Sequence, residues 1–171
     1  MRSESLDATA FGLVLRVEFV WRGDRYGHVI SVVHSGVAQP LLESLEGTPT
    51  DDWPPSPPLQ SLHRETLPDG RSALLLVGAA GRSHWSASVE AAPCEPKLIF
   101  DLACRHGKES GWLGCRYSAA GAAGEQLAIE SDAAAASWPA AGAVVRPAVI
   151  TGPTTRWRYS VSLKAPPNTE S

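Results

Sequence analysis

The sequence predicts an all-β protein: an antiparallel β-sandwich or β-barrel of about nine to ten strands, mostly hairpin-connected, with a proline-rich strap. Three observations carry that expectation. Apolar and polar residues alternate with period two along 11–22, 25–34, 83–91 and 156–164, as strands with one face on a core do. Turn-forming residues punctuate those runs, at Gly23-Asp24, Pro68-Asp69-Gly70 and Thr151-Gly152-Pro153-Thr154. The connections are mostly short, so neighbouring strands should pair antiparallel, spaced as in a sandwich or barrel.

Taken in order, residues 1–10 read as a flexible leader, 11–165 as a single all-β domain and 166–171 as a flexible tail. In the first strand Phe11, Leu13, Leu15, Val17, Phe19 and Trp21 share a face. A two-residue turn at Gly23-Asp24 then sets Trp21 opposite Tyr26, Phe19 opposite His28, Val17 opposite Ile30 and Leu15 opposite Val32. That turn also accounts for the tripeptide Arg22-Gly23-Asp24 without an adhesion role. Residues Pro40 to Glu46 fit either a short helix or an extended cover strand. Pro54, Pro55, Pro57 and Pro58 follow Trp53 and define a polyproline strap. Burial of Trp53 favours a strap packed across an open end of its own domain over one offered to a partner's groove.

Leu59 to Leu67 reads as a strand, and Leu74 to Val77 as a strand covered on both faces, with a turn at Gly78-Ala79-Ala80-Gly81. In the next strand Trp85, Ala87 and Val89 point inward, and His84, Ser86, Ser88 and Glu90 outward. Lys97 to Arg105 and Trp112 to Ser118 read as a hairpin with Cys104 facing Leu113, Leu102 facing Cys115 and Phe100 facing Tyr117; both cysteines act as small hydrophobes. The alanine- and glycine-rich stretch 119–143 holds an apolar island at Leu127 to Ile129. Ala133 to Ala136 fits a helical turn capped by Ser131 or Asp132, or a loose loop. Pro147 places the strand Ala143 to Ile150 at an edge, and Arg156 to Lys164 points Trp157, Tyr159, Val161 and Leu163 inward.

Composition limits the function classes. The formal net charge of −3 and three scattered lysines leave no basic footprint for nucleic acid. No apolar run is long enough for a membrane span or a signal peptide. With three cysteines, an odd number, this points to a cytoplasmic location with reduced thiols. Cys94, Cys104 and Cys115, or His28 and His34, lack metal-ligand spacing, and no phosphate loop is present, so neither metal nor cofactor is expected.

Three functional readings follow. The first is a non-enzymatic binding module for a small apolar ligand or a protein partner, with Trp85, Trp53, Trp157 and Tyr26 lining the site. The second is a hydrolase or lyase using His84, Ser86, Glu90 and Asp101. The third is a structural homo-oligomer joined through an edge strand.

Overall fold

Two antiparallel sheets pack face to face in the computed structural model, which describes residues 2–165. Its first four strands form one meander: β1 (Ser3–Ala10), β2 (Leu13–Trp21), β3 (Tyr26–His34) and β4 (Val37–Ser44). The next four form a second: β5 (Ser61–Thr66), β6 (Ser72–Ala80), β7 (Ser83–Ala91) and β8 (Lys97–Arg105). The remainder is β9 (Cys115–Ala119), a helical turn α1 (Ala123–Gln126), β10 (Leu127–Glu130), β11 (Ala134–Ser137), β12 (Gly142–Pro147) and β13 (Thr154–Leu163). One sheet has the order β1-β2-β3-β4-β9-β12-β11, the other β10-β13-β8-β7-β6-β5. Both sheets keep free edges, so the protein is a sandwich and not a barrel.

The β2–β3 register is the one the turn requires, with Trp21, Phe19, Val17 and Leu15 opposite Tyr26, His28, Ile30 and Val32. The expected leader is instead the edge strand β1, paired with β2 along its length. Leu6 and Ala8 supply its inward face. Phe11 and Gly12 both take positive φ, 54° and 75°, as a tight hairpin turn of the I′ kind demands. Phe11 is therefore 90% exposed and not part of the core row. The expected tail, 166–171, lies outside the described residues.

Segment 40–46 is extended. Leu41 is an extra residue between Ile30↔Leu42 and Ser31↔Pro40, and this bulge turns both Leu41 and Leu42 inward. Strand β6 is covered on one face only, since Leu75 and Val77 are exposed while Leu74 and Leu76 are buried. Its turn is Gly81-Arg82, because Ala80 pairs with Ser83. Gly78 lies inside the strand, where a Cβ would meet the Pro58 carbonyl oxygen at 1.8 Å.

The hairpin expected of β8 with 112–118 does not form. β9 lies in the opposite sheet, between β4 and β12. Trp112 leaves the path of β8 to donate its indole N–H to Pro55 O, and Arg116 N donates to the same oxygen. Cys104 and Cys115 nonetheless point inward and are buried. Residues 134–137 are strand β11 and not a helical turn; the Ser131 hydroxyl accepts from the amides of Ala133 and Ala134 before it. Pro147 ends β12 but does not put it at an edge, because β11 lies outside it. Among the described residues the strands number thirteen; β1 and the short β10 and β11 account for much of the surplus.

The core lies between the sheets. Phe100 and Tyr159 stack with centroids 5.0 Å apart, and Trp85 meets Trp157 edge to face at 6.2 Å. The two tryptophans differ in one respect: Trp85 Nε1 donates to Ser83 Oγ at 3.0 Å, whereas Trp157 Nε1 is buried without a partner. Trp85→Phe should therefore cost about 2 kcal/mol more than Trp157→Phe, since only the first loses a hydrogen bond and only the second removes an orphan donor. Urea unfolding of the two variants measures the difference.

Candidate functional site

Among the described residues, aromatic side chains occupy the space between the sheets. Trp85, Trp157 and Tyr26, which the sequence offered as lining residues, fill the core at 2%, 1% and 8% exposure. A small space in the core measures about 10 Å³, bounded by His28, Glu46, Ser56, Cys115 and Tyr159 among others. That admits no more than one water.

A polar seam borders this space. His28 Nε2 lies 2.8 Å from the Tyr117 hydroxyl, which lies 2.7 Å from the Tyr159 hydroxyl. The His28 amide donates to Ser44 Oγ at 2.8 Å, and Ser44 donates onward to Glu46 Oε1. Ser56 Oγ and Cys115 Sγ are 3.3 Å apart. Burial sets the protonation of all these groups. It lowers His28 to about 3, raises Cys115 to about 12 and holds both tyrosines well above their usual range. It also raises Glu46 to about 7, against the opposing pull of Ser44 and the Arg25 and Arg22 guanidiniums. A neutral imidazole and a protonated thiol within the core make this seam part of the packing between the sheets.

The row His84, Ser86, Glu90 and Asp101 lies on the solvent face of the six-stranded sheet. Asp101 accepts two hydrogen bonds from Arg156, at 2.9 and 2.7 Å, and Glu90 is 3.8 Å from Arg71. His84 and Ser86 are exposed, and none of the four makes a hydrogen bond or ion pair with another. The sheet holds them apart, so no two of them meet as a nucleophile–base pair.

Trp53 has a different setting. It borders an open cleft of about 680 Å³ at one end of the sandwich. Three segments build its walls: Asp52 and Trp53 of the strap, Ala80 to Arg82 of the β6–β7 turn, and His106 to Gly111 after β8. Gly111 permits the construction, because a Cβ there would lie 2.4 Å from the Trp53 ring. The indole thus rests on bare backbone and is half-buried. His106 Nε2 is 2.8 Å from Thr155 Oγ1 and 3.1 Å from Thr151 O, a pairing that puts the proton on Nε2. Its Nδ1 is buried and left without a donor.

Among the described residues, Asp52, Arg82, Lys108 and Glu109 form no ion pair. A second opening, of about 480 Å³ between β1 and the ends of β5 and β6, contrasts with this. Its arginines are already taken, Arg64 by Glu4 and Arg71 by Asp69. Of the residues the sequence singled out, Trp53 reaches the end cleft. Asp52, Arg82, His106, Lys108 and Glu109 were not anticipated; the one local signal was a polar loop of both charge signs, HGKESG, between apolar strands.

Among the described residues, no three His, Cys, Asp or Glu side chains converge as a metal site, and no helix is long and apolar enough to cross a membrane. No family model matches the chain, and neither the curated proteins nor the solved structures provide a match.

Proposed function

We propose that the protein is a non-catalytic binding module that receives a charged segment of a protein partner in the end cleft. The observation behind this reading is the cleft itself: a half-buried tryptophan surrounded by unpaired charges of both signs. A semi-rigid aromatic beside cations is the composition of an interface anchor. The cleft is open to solvent, whereas small-ligand sites enclose most of their occupant. A small apolar ligand is disfavoured, since the interior lacks room and the cleft is charged.

Selection from a random dodecapeptide display library tests this. Selected peptides should bind the wild type and lose about tenfold or more in affinity against Arg82→Glu or Lys108→Glu, with a marked salt dependence. Peptides indifferent to both substitutions would remove the proposal. A second reading, a homo-oligomer, is favoured by one feature: the free edge of β11, Ala134–Ser137, carries no charged side chain to block pairing with another strand. Sedimentation as a monomer counts against it.

A further inference from the structure

On the outer face of the seven-stranded sheet, two arginines share one tryptophan. Cys115, Tyr117, Ala143 and Val145 point into the core, so Arg116 and Arg146 point out. Arg116 on β9 pairs with Val144 on β12, which makes Arg146 its diagonal neighbour. The Arg116 guanidinium carbon lies 4.0 Å from the centroid of the Trp112 ring, and that of Arg146 lies 4.5 Å from it. Diagonal neighbours in a sheet stand about 7–8 Å apart, close enough for two long side chains to reach one ring. The ring is itself fixed. Its N–H donates to Pro55 O at 3.1 Å, and Gly114 keeps the loop flat beneath it, since a Cβ there would meet Val145 O at 2.5 Å.

Stacking uses the faces of the guanidiniums and leaves their N–H donors free in the plane. Among the described residues neither arginine makes an ion pair or a side-chain hydrogen bond, although each is exposed. Arg16, Arg22 and Arg156 on the outer sheet faces are engaged by Asp7, Glu43 and Asp101, and Arg105 and Arg158, though exposed and unpaired, have no aromatic ring to hold them. Arg116 and Arg146 are thus ordered in advance and lack an acceptor, a state that reduces the entropic cost of binding an anion.

We propose that the Arg116–Trp112–Arg146 stack is a binding site for a tetrahedral oxyanion, the phosphate or sulfate group of a larger ligand. A carboxylate has two oxygens and satisfies one fork. A tetrahedral oxyanion has further oxygens, so one group at the ring edge serves both guanidiniums. The site uses none of the residues of the end cleft and stands independently of the reading given above.

The test follows the arginine Nε–Hε resonances of the full chain during titration with inorganic phosphate, sulfate, phenyl phosphate, a sulfated hexasaccharide and acetate. Arg116 and Arg146 should shift together and saturate with the tetrahedral ions, and acetate should bind about tenfold more weakly. Arg116→Gln or Arg146→Gln should each weaken binding by about tenfold or more, and Arg146→Lys, which keeps the charge but loses the fork, by less. Tighter binding of phenyl phosphate than of the hexasaccharide identifies an organic phosphate as the source; the reverse order identifies a sulfated glycan. Shifts that never saturate, that are equal at the exposed Arg158 of the other sheet, or that survive Arg146→Gln at unchanged thermal stability would overturn the proposal.

Discussion

Gly78→Val should destabilise the protein by about 3 kcal/mol or more, the upper range for overpacking, although the site looks like an ordinary strand position. The cause is backbone against backbone. The new Cβ would lie 1.8 Å from the Pro58 carbonyl oxygen and 2.8 Å from its carbon, and neither atom is the flexible end of a side chain. The strap cannot move aside cheaply, because it ties the two sheets together. Leu59 O accepts from Tyr26 N of one sheet at 2.7 Å, and Gln60 N donates to Val77 O of the other at 2.8 Å. The Gln60 side chain adds two bonds to the backbone of Ala79, at 3.0 and 3.2 Å. Displacing Pro58 breaks several of these at once and uncovers the core at Pro57, Pro58 and Leu59. Urea unfolding measures the loss, and near-UV circular dichroism reports the tryptophan packing. A change below about 1 kcal/mol would mean that the strap is not a tie.

Glu46→Gln should abolish a component of the pH dependence of stability worth about 3 kcal/mol. Burial raises the Glu46 carboxyl from 4.5 to about 7, so the folded state holds a proton that the unfolded chain releases. The associated stabilisation is complete below pH 4.5, declines as pH rises and is gone above about 7. His28 has the opposite sign. Its folded value is lowered from 6.5 to about 3, so its stabilisation is complete above pH 6.5 and is lost as pH falls toward 3. Between 4.5 and 6.5 the two groups oppose each other and flatten the wild-type curve. In the glutamine variant the His28 slope stands alone. Relative to wild type, the variant should gain stability steadily from pH 4.5 to 7, with little further change above that range. Chemical denaturation across pH 4 to 8 gives the difference directly, and a difference independent of pH would contradict the assignment.

How far the sequence could be read depended on what each pattern encodes. Alternation reports which face a residue occupies, and it placed Trp85, Trp157, Cys104 and Cys115 inward, where they are. It does not report the partner strand. A two-residue turn supplies that information at β2–β3, which is why that register was legible. The longer loop from β8 to β9 supplies none, and the chain crosses to the other sheet there. Gly78 was misread because a glycine needed for close approach and a glycine needed for a turn are the same residue. The end cleft was legible at Trp53 alone. Its remaining residues come from segments about 30 positions apart, near 52, 81 and 108, joined only when the strap and the β8–β9 crossing meet. The row from His84 to Asp101 was conspicuous because a solvent-facing strand is polar at every second position, whatever its chemistry.

The recognition role of the end cleft can be tested most directly by amide and indole N–H spectra recorded during titration with the selected peptides. The expected result is a saturable shift of the Trp53 indole N–H and of the Gly81, Arg82 and Gly111 amides, with His84, Ser86, Glu90 and Asp101 unmoved. Shifts confined to that second group, or to the core tryptophans Trp85 and Trp157, would contradict it.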